Sequence, residues 1–139
     1  MLQRMQTIWL LFSAISAFLT IRLSFYSGNI ETPGQPASFQ YLNAGFNIWL
    51  LVLAVALVCI GLIDIFLYKN RKLQGRLAIL GILLSLLNIY LYFKQTGKFT
   101  VGNYDLTAIL AFLIPIFFFL AARGIYRDQK LVKSLDRLR

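Results

Sequence analysis

Histidine is absent from this chain, and its absence removes much of the chemistry open to a small protein. Without imidazole there is no usual axial ligand for a b-type haem and no commonest zinc ligand. A Ser–His–Asp triad and a thiolate–imidazole pair are excluded for the same reason. Cysteine is nearly missing too. Cys59 stands alone in the middle of an apolar run, so no intramolecular disulfide forms and a small packing residue is expected there. Acidic residues number five against fourteen basic ones. Only Asp64 lies well inside an apolar stretch, and no second carboxylate stands near it in sequence. Glu31 and Asp105 fall in separate polar segments, too little for a site. Metal-ligand spacing, a phosphate-cradling glycine loop and a nucleophile elbow are all missing. No catalytic residue, cofactor-binding residue or metal ligand is assigned, and an enzyme is not expected.

What the chain has in abundance is apolar length. Four stretches, roughly 5–25, 46–68, 77–93 and 104–122, take up most of its 139 residues. A helix rising 1.5 Å per residue needs about 20 apolar residues to cover ~30 Å of hydrocarbon. Four such runs in one short chain predict a polytopic membrane protein in a lipid bilayer. The net charge of +9 would otherwise prompt a search for nucleic acid. The placement of the charges argues against that partner. Arg4, then Lys69, Arg71, Lys72 and Arg76, then Arg123, Arg127, Lys130, Lys133, Arg137 and Arg139 all fall on one side if the spans alternate. Only Arg22, Lys94 and Lys98 fall on the other. This positive-inside distribution predicts that both termini are cytoplasmic. The first span also has signal-peptide features, with Arg4 before an apolar stretch and small residues at 13–17. Its apolar character continues through Phe18, Leu19 and Ile21, so it is expected to be retained.

Trp9 and Phe25-Tyr26 are placed to anchor the first span at its two interfaces. Arg22, about one turn inside the outer end, is expected to snorkel, with Glu31 as a possible partner. In the loop that follows, Pro33 and Pro36 flank Gly34 and favour turns over a long helix. Asp64 sits on the order of 7 Å inside the cytoplasmic end of the second span. The expectation is an ion pair with Arg4, Arg76 or Arg123, or access to headgroup water; the functional alternative is an intramembrane proton site. Lys69–Arg76 reads as a tight basic turn that makes spans two and three antiparallel neighbours. In span three, Gly81, Ser85 and Asn88 form a small, polar stripe suited to close helix packing. Tyr90 and Tyr92 are assigned to the outer aromatic belt. Pro115 should kink span four near Ala111. At least one of the three rings Phe117, Phe118 and Phe119 must face lipid or another subunit.

Beyond Ala122 the tail changes character. Ile125, Leu131, Val132, Leu135 and Leu138 recur at roughly helical spacing among Arg127, Lys130, Lys133 and Arg137, predicting a basic amphipathic helix beside the membrane. Lys133 with Asp136, and Asp136 with Arg139, are spaced to pair on one turn. Such a helix either lies on the anionic leaflet or docks a partner.

Three stretches carry a family resemblance. The opening MLQRMQTIWLLFSA, the central YKNRKLQGRL and the closing LAARGIYRDQKLVKSLDRLR resemble the uncharacterised four-span membrane-protein family of Bacteroidota known as domain-of-unknown-function family 4293. Ala122 departs from the asparagine that resemblance leads one to expect, and Gly75 from a larger apolar residue. The resemblance implies a multi-pass protein of a Gram-negative inner membrane and supplies no activity.

The fold expected is all-α: a four-helix transmembrane bundle, up-down-up-down, over 1–122, with a short amphipathic cytoplasmic helix over 123–139. The leading functional expectation is a non-catalytic accessory or assembly subunit of a larger membrane complex. Its contact surface would comprise Arg4, Arg71, Arg76, Arg127, Asp128, Lys133, Asp136 and Arg137. The alternatives are a small transporter or proton-linked permease using Asp64 and Asn88, or a lipid- or quinone-binding protein with a phenylalanine-lined groove at Pro115.

Overall fold

The computed structural model describes residues 2–136, with side chains described from Met5 to Leu135. Four long helices dominate: α1 (Leu2–Leu19), α2 (Ile48–Phe66), α3 (Arg71–Thr96) and α4 (Ile109–Asp136). Three short strands, β1 (Tyr26–Ile30), β2 (Ser38–Leu42) and β3 (Val101–Tyr104), gather at the end opposite the basic residues. The all-α expectation is therefore corrected. The segments read as polar loops pair into an antiparallel sheet of order β2-β1-β3.

Three helical segments, Ile48–Lys69, Arg71–Thr96 and Leu106–Leu135, are long and apolar enough to cross a membrane. The apolar part of the first helix is shorter, Met5–Leu19. It was expected to run to Phe25, but the chain leaves helical geometry at Thr20 and turns into β1. Arg22 consequently lies in that turn, exposed, rather than inside a span.

Each long helix packs against two others: α1 and α3 each touch α2 and α4. Residue pairings show that neighbours run antiparallel. Ala44, before α2, bonds Thr20, after α1, while Gly61 of α2 lies against Leu10 and Ala14; on α3, Gly75 lies against Tyr126 of α4 and Gly81 against Phe118. The inward residues follow a seven-residue repeat. On α3 they are Gln74, Ala78, Gly81, Ser85, Asn88, Tyr92 and Gln95; on α2, Leu50, Ala54, Leu57, Gly61 and Asp64. Steps of four and three keep one stripe facing a neighbour crossed at a shallow angle. Small residues in these stripes let the backbones approach, which suits helices whose outer surfaces are as apolar as lipid. Outward-facing residues are large and apolar, including Phe66, Leu83, Leu86 and Phe119.

Helix boundaries follow from caps. The Asn47 side chain accepts from the Trp49 backbone N–H and starts α2; Asn70 accepts from Leu73 and starts α3. Each asparagine satisfies a donor that the first turn would leave unpaired. Because α3 begins at Arg71, the basic turn expected over 69–76 shrinks to Leu67–Asn70, and Arg71, Lys72 and Arg76 ride on the helix. Pro115 lies inside α4 without ending it. The bond it cannot make is to Ala111, two residues into the helix, where few turns remain to be disrupted. The same helix continues unbroken through Arg123 to Asp136, so the tail expected as a separate amphipathic helix is an extension of α4.

The sheet is tied to the helices by an aromatic cluster. Phe25 stacks on Tyr92 at 4.6 Å and meets Phe93 and Tyr104 edge-on. Phe25 and Tyr92 are both buried. The interfacial places expected of Phe25 and Tyr92 are therefore corrected, because the two rings pack on each other inside the protein; Tyr90 does remain exposed. Asp105, just after β3, accepts hydrogen bonds from the hydroxyls of Ser24 and Ser27, and Thr107 donates to the Ser24 carbonyl. Gly28 and Gly102 face each other across β1 and β3. A Cβ at Gly28 would lie 2.3 Å from the Val101 carbonyl oxygen, so the strands reach this approach only with glycine. Between β1 and β2, Gly34 adopts φ +90°, within the turn that its flanking prolines announce.

Candidate functional site

Buried polar side chains run the length of the helices, and Gln6, Asp64, Gln74 and Asp128 lie toward the basic end. On α1 the buried residues facing the neighbours include Gln6, Ser13 and Ser16, with Thr20 just past its end; α3 contributes Gln74, Ser85, Asn88 and Gln95. At the basic end Gln6 donates from Nε2 to Asp128 of α4 at 2.5 Å, with both side chains buried. Gln74 donates from Nε2 to the backbone carbonyl of Asp64 at 2.9 Å, which ties α3 to the end of α2. At the sheet end, Tyr92 donates from its hydroxyl to the Thr20 carbonyl at 3.5 Å.

Asp64 is the exceptional member. It is fully buried, and neither carboxylate oxygen has a hydrogen-bond partner among the described residues. The expected ion pair is not formed with Arg76 or Arg123, whose side chains are exposed, and the carboxylate is not turned out to headgroup water. The side chain of Arg4 lies outside the described ones. The reason is geometric. Asp64 continues the inward stripe of α2 one turn beyond Gly61, so it points among helices while the arginines ride on outward faces. The Oδ1 of Asn88 and the Oε1 of Gln95 are likewise buried without partners. Unpaired acceptors in a low-dielectric interior are expensive, each costing roughly 1–3 kcal/mol or more.

The predicted contact residues divide into groups. Arg71 and Lys133 line one cavity, together with Lys69, Asn70, Lys72 and Gln129. Arg127 lies instead on a second groove between α1 and α4, with Arg123, Met5 and Trp9. Arg76 is exposed on α3. Asp128 is withdrawn: its bond to Gln6 holds it in the interior, so it is no surface contact. The side chains of Arg4 and Asp136, and the whole of Arg137, lie outside the described residues, as do the pairs expected of Asp136.

Sequence reasoning missed Gln6, Gln74, Gln95 and Gln129. The heptad spacing of Gln74, Ser85, Asn88, Tyr92 and Gln95 was the available signal, since a repeat of polar residues in an apolar helix marks its inner face. Cys59, expected as a packing residue, lies exposed on the outer surface of α2. Of the three rings after Pro115, Phe118 is buried against Gly81, Phe117 stacks on Trp9 at 5.9 Å and Phe119 is exposed. Phe119 thus provides the outward-facing ring expected of that triplet.

No curated protein and no solved structure matches the chain. A family model described as domain of unknown function DUF4293 matches residues 2–138, nearly end to end, and the chain belongs to that family.

Proposed function

We propose that this protein is a non-catalytic integral protein of a bacterial inner membrane, an accessory or assembly subunit that docks a larger membrane complex through its basic cytoplasmic end. The observation that carries the reading is the projecting end of α4. At 28 residues the helix is about 42 Å long, well beyond ~30 Å of hydrocarbon. Every side chain from Leu131 to Leu135 is exposed, with Leu135 at 65%. Apolar Leu131, Val132 and Leu135 beside cationic Lys130 and Lys133 make a surface that a partner helix would cover. Arg71, Arg76 and Arg127 extend it on the described chain, and Arg4, Asp136 and Arg137 extend it by sequence position. Purification from native membranes in mild detergent, followed by crosslinking, should return one stoichiometric membrane partner. Truncation after Gln129 should lose it. Recovery of the chain alone and monomeric, with truncation harmless, would rule the reading out.

One observation favours a second reading, a proton-linked permease. Among the described residues the Asp64 carboxylate is buried without a partner, and the Oδ1 of Asn88 and Oε1 of Gln95 continue the unpaired positions towards the opposite end. Intramembrane ionisable residues of this kind mark proton relays. Proteoliposomes should then leak protons in a manner abolished by Asp64→Asn. Flux through the unaltered protein no greater than that of empty liposomes, or undiminished in the variant, would dismiss this alternative.

A further inference from the structure

The basic end carries a concavity of its own on the side of α4 away from Arg127. Lys69, Asn70, Arg71 and Lys72, at the entry to α3, face Gln129 and Lys133 of the α4 extension around a cavity of about 720 Å³. That falls within the roughly 300–1,000 Å³ of small-molecule sites. Its walls are fixed by the two amides. Asn70 accepts from the Leu73 N–H at 3.4 Å, and Gln129 donates from Nε2 to the Arg71 carbonyl at 2.6 Å. Four cationic side chains are left to line the space, and no carboxylate pairs with any of them among the described residues. Asp128, adjacent to Gln129, is engaged with Gln6 instead. Four like charges around one concavity repel each other, and an anion bound among them relieves that repulsion.

The surroundings identify the anion. Leu62 and Phe66, both exposed on α2 and Phe66 at 77%, lie one turn apart on the same face, and Phe66 ends α2 three residues before Lys69 of the cavity. Val132 adds an apolar patch to the cavity wall. The apolar outer face of α2 thus ends within three residues of the cationic mouth, which suits a molecule with a phosphate head and acyl chains. We propose that this cavity binds the phosphate headgroup of an anionic phospholipid, with its chains lying along Leu62 and Phe66. Basic pockets at the ends of membrane-spanning helices recognise anionic headgroups through the same combination of charge and depth.

The test uses the purified full-length chain in nanodiscs of phosphatidylcholine, titrated with phosphatidylglycerol and followed by native mass spectrometry. One phosphatidylglycerol should be retained per chain, and inorganic phosphate should compete only weakly. Lys69→Gln with Lys133→Gln should lower the affinity about 25-fold, near fivefold for each cation removed. Arg123→Gln with Arg127→Gln removes the same charge on the other groove and should leave retention unchanged. Equal losses from both pairs would reduce the effect to general surface charge and overturn the site. Inorganic phosphate binding as tightly as the lipid would overturn the lipid assignment. The assay uses the isolated chain, so its outcome does not depend on whether a protein partner exists.

Discussion

Phe118 can occupy the centre of the helices only because residue 81 has no side chain. A Cβ at Gly81 would lie 2.7 Å from two carbons of the Phe118 ring, and the ring is fully buried with nowhere to retreat. Gly81→Ala should therefore destabilise the protein by about 1–3 kcal/mol, the usual cost of overpacking a filled core. Thermal unfolding in detergent would measure it. Adding Phe118→Leu should recover part of the loss, since the two substitutions share one contact. Asp64 presents the opposite case, a buried carboxylate with no hydrogen-bond partner among the described residues. Asp64→Leu removes an unpaired carboxylate and should raise the unfolding temperature, by an amount equivalent to roughly 1–3 kcal/mol. A lowered unfolding temperature would instead reveal a partner that holds the carboxylate. Gly81 was singled out from the sequence as a small packing residue, and Asp64 as the notable acid. The contact of Gly81 with Phe118 was not legible, because it joins helices distant in sequence, and the enclosure of Asp64 was not, because it depends on which helix faces meet.

At the scale of elements, the sheet is the least anticipated part and has a simple physical origin. Two connections at the same end of the helices both carry Gly-Asn, at Gly28-Asn29 and Gly102-Asn103, and the glycines pair across β1 and β3. That recurrence was visible, but pairing two segments about seventy residues apart requires knowing that both helices end at the same level. Asp105 then holds β1 through Ser24 and Ser27. Asp105→Ala leaves both hydroxyls without their acceptor and should cost about 1–3 kcal/mol locally. Hydrogen exchange should accelerate at the β1 and β3 amides, while the centres of α2 and α3 keep their protection. Uniform acceleration throughout would mean that sheet and helices unfold as one unit. The extension of α4 was half legible. The periodicity of Leu131, Val132 and Leu135 announced a helix, but the sequence held no signal that Arg123 and Gly124 would continue the preceding one without a break.

For the whole molecule, the arrangement of charge is the governing feature. The turn into α3, the extension of α4 and the start of α1 meet at one end, and most lysines and arginines are there. The proposed function puts that end in the cytoplasm, on the ground that an inward-negative potential favours retention of the more basic side. Enzymatic reporters fused at either terminus should accordingly register a cytoplasmic location. A reporter inserted at Gly34, in the turn between β1 and β2, should register an exported one. The reverse pattern would invert the orientation and remove the cytoplasmic docking surface from the functional reading.

The sequence by itself determined the apolar lengths, the clustering of basic residues and the exclusion of histidine chemistry, because these are properties of composition and spacing along the chain. It also marked Asp64 and Asn88 as unusual. Tertiary structure alone decided that Asp64 is enclosed without a partner, that Asp128 turns inward to Gln6, that two polar connections zip into a sheet, and that four cations surround one cavity. Each of those outcomes depends on which faces of distant helices are brought together, and a face acquires its neighbour only when the chain has folded.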